Sequence, residues 1–421
     1  MIYAIILFAL TYVAMLVFSK YRTYIALASA LIFLVSGMLP MNNFFGALDF
    51  NVLLMIAGTM GLVQLFIDSK MPARLADFIM TKVPNVQIAA ISLALFAGVI
   101  SAFVDNVATV LMVAPIALAI CKKLQTNPVP FIIAIAVSSN LQGAATLVGD
   151  TTAIMLGSYA DMSFLDFFWY KNRPSMFFAV ELGAVVSVII LAWLFRKEKK
   201  PIEKNTELTK VTDYVPTILL VSTIVFLICV SFIPNKPSIT NGLICVALFV
   251  IGLIYTTIKQ KTAKAMVGPI MAIDFQTVGL LFGLFIMLGG ITNMGVIDEI
   301  AKILAEVGGD NIFLLYTVIV WGSVLISAFI DNIPYVATML PIISGIAAAL
   351  NIDPTILYFG LLSGATLGGN CTPIGASANI TGIGILRKEG NTVKNSDFFK
   401  IGIPFTLAAI IPAYLYIWFV F

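Results

Sequence analysis

A helix that crosses a bilayer needs about 20 mostly apolar residues. This chain carries eight uninterrupted runs of that kind, at about 2–19, 23–40, 50–68, 174–195, 215–233, 240–257, 275–293 and 400–420. A water-soluble core cannot hide so much apolar surface, so the sequence specifies an all-α polytopic membrane protein. Charge content agrees: 11% of the 421 residues are Asp, Glu, Lys or Arg, against about 25% in soluble domains. Mean hydropathy is +1.04. The first run has no basic residues before it and no small-x-small cleavage site, and reads as an uncleaved span.

Four further regions, 88–121, 131–160, 312–350 and 355–386, are apolar but interrupted by SAFVDN, QGAATLVGDTT, SAFIDN and GGNCTPIGASAN. Irregular backbone at membrane depth survives only where protein buries it or where it lines a cavity. These breaks are therefore the candidate functional elements.

The breaks also repeat. SAFVDNVATVLMVAPI (101–116) matches SAFIDNIPYVATMLPI (327–342), and ATLVGDTTAI (145–154) matches ATLGGNCTPI (365–374). Asp49-Phe50-Asn51 matches Asp274-Phe275-Gln276. The chain divides into repeat one (1–195), a polar, flexible linker (196–213) and repeat two (214–421). Each repeat reads as five spans plus one re-entrant hairpin, with one broken helix. Five crossings is an odd number, so the repeats insert with inverted topology. With the linker in the cytoplasm, 20 of the 24 basic residues fall on that side, and only Lys171, Arg173, Lys236 and Lys302 fall outside. That satisfies the positive-inside rule and places both termini outside the cell membrane.

The hairpin tips carry Asp105-Asn106 and Asp331-Asn332. A carboxylate at membrane depth is costly, and two readings explain it. Asp, Asn and backbone carbonyls suit a hard cation such as sodium, and a desolvated carboxyl can equally hold a proton. Alternatively, each Asp caps the second hairpin helix. One residue can do both. The first broken helix supplies Thr146, Gly149, Asp150, Thr151 and Thr152, and the second Thr366, Gly369, Asn370, Thr372 and Ser377. Glycines let the helix unwind, and hydroxyl, amide and carboxylate oxygens become ligands; the competing reading is plain helix packing. In this alignment Asp150 pairs with Asn370, and Cys371 replaces Thr151. The repeats then differ by one charge, which assigns the coupling ion or proton to Asp150 with Asp105. The sodium candidates are Asp105, Asn106, Asp150, Asp331, Asn332 and Asn370.

Asp49 and Asp274 read as helix N-caps. Glu181 is a third titratable group at depth or a residue reaching the interface. Segments 70–83 and 296–306 read as amphipathic arms along the membrane surface. The four cysteines share no CxxC spacing and read as buried free thiols. No Lys or Arg lies in the breaks, so an anion would rely on helix N-termini and bound cations. The chain contains no His. That excludes imidazole metal sites and His-dependent triads, and with no HExxH motif an enzyme is not expected. A net charge of +3 is too small for nucleic-acid binding.

SAFVDNVATVLMVAP, NLQGAATLVGD, SAFIDNIPYVATMLP and GGNCTPIGASAN resemble the signatures of the ion transporter superfamily, with its citrate-transporter-like domain. The nearest branch resembles the melanosomal P-protein, NhaD-type sodium/proton antiporters and arsenite permeases. The resemblance implies inverted repeats, a scaffold that dimerises and a transport domain moving as an elevator. The dicarboxylate branch has Ser-Asn-Thr at its hairpin tips where this chain has Asp-Asn. Prolines usual after the first Gly-Asp are replaced by Thr151 and Thr152, and the luminal domain of the P-protein is absent.

The expected function is a secondary active transporter in the cytoplasmic membrane, most plausibly exchanging sodium for protons. An arsenite or organic-anion permease is the alternative, and a channel is a third reading. The expected partners are lipid, a small ion or small-molecule substrate, and a second copy of the chain; no cofactor beyond the coupling sodium ion or proton is expected. The topology is testable with a chain whose own cysteines are replaced. A membrane-impermeant thiol reagent on intact cells should label Lys236→Cys and spare Lys199→Cys; the reverse pattern would overturn this orientation.

Overall fold

The computed structural model describes residues 1–202, 208–308 and 311–421; the side chains at 19 and 304–308 are also outside the description. Ten helices precede the linker. They are α1 (Ile2–Val17), α2 (Arg22–Val35), α3 (Phe44–Ala47), α4 (Phe50–Asp68), α5 (Met71–Met80), α6 (Val86–Ser101), α7 (Asn106–Leu124), α8 (Val129–Gly143), α9 (Thr151–Tyr159) and α10 (Met176–Leu194). Ten follow it in the same order. They are α11 (Val215–Ser231), α12 (Thr240–Gln260), α13 (Val267–Met271), α14 (Phe275–Asn293), α15 (Val296–Gly308), α16 (Ile312–Ser327), α17 (Asn332–Leu350), α18 (Thr355–Gly368), α19 (Ser377–Lys388) and α20 (Asn395–Val420). A two-stranded hairpin, Trp169–Tyr170 with Arg173–Pro174, precedes α10. Among the described residues, seven helices (α4, α7, α10, α12, α14, α17 and α20) are long and apolar enough to cross a membrane, and shorter apolar helices accompany them.

The same local chemistry shapes both hairpins. Asn85 Oδ1 accepts the Ile88 N–H at the start of α6, and Asn311 Oδ1 accepts the Leu314 N–H at the start of α16, each at 3.0 Å. Such a cap satisfies an N–H that the helix itself cannot. Both second helices carry an internal proline, Pro115 and Pro341, and both end on a left-handed residue, Gln125 and Asn351. The segments read as hairpins, 88–121 and 312–350, fall within the successive helices α6–α7 and α16–α17. Asp49 caps α4 through Val52 N, and Asp274 caps α14 through Gln276 N and Thr277 N.

Packing sorts the helices into two groups. In one, α2 lies against α14 and α4 against α12, so the halves cross-pair. These crossings are close. A Cβ on Gly58 would sit 2.5 Å from the Cys245 carbonyl carbon, and one on Gly283 would sit 2.8 Å from that of Ala26. Small residues at the crossing maximise contact where lipid offers no hydrophobic drive between helices. In the other group α6 packs on α8, α16 on α18, and α10 on α20, with α19 against α7 and α8. The amphipathic segments form α5 and α15, which reach across to α7 and α17. Residues 304–306 of the second arm fall among the side chains outside the description.

The linker departs from expectation. Residues 203–207 lie outside the described residues, but the flanks are pinned rather than flexible. Lys200 O accepts the Val86 N–H at 3.0 Å, and Glu198 O accepts the Gln87 N–H at 2.7 Å. Thr209 donates through N and Oγ1 to Asp77 Oδ2 at 2.8 and 2.5 Å, and Lys259 pairs with Asp213 at 2.8 Å. Backbone groups at the mouth of α6 thereby find partners that a free linker would leave to water. The thiols also divide: Cys121 and Cys245 are buried and Cys371 is intermediate, whereas Cys229 is exposed on α11, against the expectation.

Partial burial raises the Asp213 carboxyl, but the Lys259 ammonium, the Val215 N–H and the Tyr255 hydroxyl outweigh it and leave it below its ordinary value. A carboxyl that ionises more readily folded than unfolded contributes stability above the unfolded value, and that stability is lost as pH falls through the folded one. The Tm difference between the wild type and Asp213→Asn should therefore be present at neutral pH and vanish as pH falls below about 4. A difference that persists in acid would show that the strap does not depend on this charge.

Candidate functional site

Both hairpins turn on an Asp, and each Asp uses Oδ1 to cap the helix that follows. Asp105 Oδ1 accepts from Val107 N at 3.0 Å and Ala108 N at 3.2 Å. Asp331 Oδ1 accepts from Ile333 N at 3.1 Å. The capping reading is thus realised in both, and one oxygen of each remains. Asp331 Oδ2 is occupied: Arg22 Nη1 donates to it at 2.5 Å and Ser377 Oγ at 3.2 Å. Among the described residues Asp105 forms no ion pair.

The broken helices stop at Gly143 and Gly368 and resume at Thr151 and Ser377. Their geometry corrects the sequence register. Thr146 Oγ1 donates to Ala102 O, and Thr372 Oγ1 donates to Ala328 O. Val148 N and Ile374 N donate back to these same hydroxyls at 3.4 Å each. Gly149 faces the carbonyl oxygens of Gly143, Ser101 and Ala102 within 2.6–2.9 Å of where a Cβ would lie, and Gly375 faces those of Gly369, Ser327 and Ala328 at the same distances. The equivalent residues are therefore Thr146 with Thr372 and Gly149 with Gly375, an offset of 226, as in the hairpins. Asp150 corresponds to Ala376 rather than Asn370, and Thr151 to Ser377 rather than Cys371. The one-charge difference between the halves survives the correction.

Asn140 joins the two breaks. It accepts from Asn106 Nδ2 at 3.0 Å and donates to Thr366 O at 2.6 Å and Asn370 Oδ1 at 3.1 Å. Asn370 donates in turn to Val137 O at 2.9 Å. Thr152 Oγ1 lies 2.9 Å from Asp150 Oδ2 and 3.1 Å from Thr366 Oγ1. Asn332 Nδ2 reaches the same Asp150 oxygen at 3.4 Å. Asn379 ties Gly369 O and Thr372 O together at 3.0 Å each. Nearly all of these residues are fully buried.

A cavity of about 230 Å³ opens beside this network. Of the predicted site residues, Asp105, Asn106, Asp150 and Asn332 line it, together with Thr151 and Ser377. Its opposite wall comes from α4 and α14 and includes Gln64, Asp274 and Thr277. Asp274 therefore both caps α14 and faces the cavity. Thr146, Gly149, Thr152, Thr366, Gly369, Asn370 and Thr372 stand behind the wall, where Thr146, Asn370 and Thr372 hold backbone carbonyls and Thr152 links Asp150 to Thr366. Glu181 lies half-buried on α10 and is not part of the lining. Sequence reasoning missed Asn140, whose signal was the polar triplet Ser138-Ser139-Asn140 inside an apolar run. It also missed Arg22, which carried no local signal. A larger cavity, of about 590 Å³, lies at the other ends of α4 and α14 and is lined by Asp49, Tyr159 and Pro341.

Residues 5–362 and 246–421 match the family described as "CitMHS: Citrate transporter". The chain belongs to this family. It is 32% identical over 322 residues to a 46 kDa membrane protein of Mycobacterium leprae, covering 76% of this chain and 74% of that one. It is 28% identical over 414 residues to an uncharacterized transporter of Mycobacterium tuberculosis, covering 94% and 93%. The human P protein is 25% identical over 441 aligned positions, covering 85% of this chain and 52% of that protein. The fold is similar to the YdaH transporter of Alcanivorax borkumensis, with a TM-score of 0.61 at 12% identity over 89% of this chain and 86% of that one. Family and structural neighbours are transporters rather than enzymes, and this member of the citrate transporter family is a multi-pass membrane transporter.

Removing Asn140 orphans buried partners on both breaks, and each costs about 1–3 kcal/mol. Asn140→Ala should lower the unfolding temperature in detergent far more than Asn42→Ala, an exposed control. Equal effects would show that the node carries no stability.

Proposed function

We propose that this transporter exchanges a small monovalent cation, sodium, for protons, with Asp105 and Asp150 as the titrating ligands. The observation that carries the reading is the shared cavity. Two carboxylates, two amides and two hydroxyl-bearing residues from both hairpins and both breaks meet in a space suited to a small ion with some of its water. Oxygen-rich, flexible sites of this kind suit hard cations. Helix N-termini meet here too, and their positive ends offset part of the charge of these carboxylates and of Asp274 on the opposite wall, leaving a site that favours a cation or a proton. With Ala376 in the place of Asp150, the second half lacks the matching carboxylate.

In this reading the repeats have inverted topology, α2, α4, α12 and α14 belong to the scaffold, and the hairpins and broken helices move past it as an elevator. Cavities at both ends of α4 and α14 leave room for that movement. The protein acts as a homodimer in the cytoplasmic membrane, with lipid as its solvent, both termini outside and no cofactor other than the coupling ion.

A second reading, a cation-coupled organic-anion permease, is supported by Arg22 beside hairpin two and by the substrate in the family's name. Reconstituted vesicles holding a pH-sensitive dye separate the two. Sodium or lithium added outside should change lumenal pH, whereas potassium and arsenite should not, and Asp150→Asn should abolish the response. Folded, inserted protein with no cation-driven proton flux would overturn the exchange reading. Carboxylate-dependent current without lumenal pH change would favour the permease.

A further inference from the structure

Among the described residues, the Arg22–Asp331 bond is the one ion pair that joins the two helix groups. Arg22 begins α2, which packs on α14, whereas Asp331 is the tip of hairpin two. Side-chain exposure is 26% for Arg22 and 11% for Asp331, so the pair is largely withdrawn from water. A second contact lies alongside, where Tyr12 Oη on α1 donates to Pro334 O of α17 at 2.8 Å. The guanidinium binds Oδ2, the oxygen that capping leaves over, and Ser377 Oγ touches the same atom. Oδ2 and Ser377 Oγ are two adjacent oxygens of the kind that coordinate a small hard cation. Arg22 therefore stands where such a cation would bind.

We infer that Arg22 is a latch that competes with the transported cation for Asp331. With Arg22 on Oδ2, hairpin two is tied to α2. A small cation at Oδ2 and Ser377 Oγ displaces the guanidinium, neutralises the carboxylate in its place and frees the hairpin. Either partner compensates the buried charge, so the hairpin never leaves α2 with Asp331 ionised and alone, the costly state for a carboxylate in apolar surroundings. Among the described residues Asp105 has no such competitor, which gives the two hairpins different tasks. This inference rests on the cation-transport reading above.

The test uses the full-length protein in vesicles. If the latch is closed in about nine molecules of ten, Arg22→Gln lowers the half-saturating sodium concentration for dye response about tenfold, because the binding-competent fraction rises. Arg22→Lys, which keeps the charge, stays near wild type. In an Asp331→Asn background, Arg22→Gln should have no further effect. A second readout needs no Arg22 variant: in a chain whose own cysteines are replaced, Phe329→Cys, at an exposed position beside the tip, should react faster with maleimide when sodium is added. Wild-type protein without cation-driven flux would overturn the transport reading and this inference with it. Flux with unchanged half-saturation in Arg22→Gln, or maleimide reactivity indifferent to sodium, would overturn the latch alone.

Discussion

A helix that stops inside a bilayer leaves N–H and C=O groups that no water can satisfy. Everything distinctive about this molecule follows from how it meets that requirement four times. At the hairpin tips an aspartate closes the new helix with one oxygen. In the broken helices a threonine hydroxyl, Thr146 or Thr372, takes the carbonyl of the tip opposite, and a glycine, Gly149 or Gly375, lets three carbonyls approach where any Cβ would collide. The amides of Asn140, Asn370 and Asn379 satisfy much of what remains. What is left over after this accounting, a few oxygens of Asp105, Asp150, Asn106 and Asn332, faces the cavity.

The frame is duplicated, but its charges are not. Asp105 and Asp331 are equivalent in position and in capping, yet one faces the cavity and the other is held by Arg22. Asp150 has only Ala376 opposite it. A symmetric scaffold holding an asymmetric set of charges can give one half the work of binding and the other the work of moving.

Much of this was legible in the sequence, because the relevant physics is local. Apolar run length marks spans, and a polar interruption flanked by glycines marks unwound backbone. A recurring Ser-Ala-Phe-x-Asp-Asn marks the turn at which α7 and α17 begin, each capped by its Asp. The register of the second break was misread because Ala-Thr-Leu occurs both at 145–147 and at 365–367. Identity over ten residues favoured that match, whereas the bonds that matter are made to a carbonyl 44 residues away in the hairpin. Arg22 read only as a topological charge, since its partner lies 309 residues downstream. The linker looked flexible because backbone bonds to Pro84, Val86 and Gln87 leave no trace in side-chain composition.

The corrected register has a consequence for how this family can vary. From Val86 to Thr151 and from Ile312 to Ser377, every helix begins at a constant spacing of 226, whereas α4 and α14 are 225 apart and α10 and α20 are 219 apart. Within the block, one inserted residue would rotate a carbonyl out of the glycine cradle and slide a threonine past its acceptor. Length changes between the halves have accordingly accumulated outside it, in the turns before α6 and after α9. The block behaves as a ruled length, and length differences between the halves are confined to its margins.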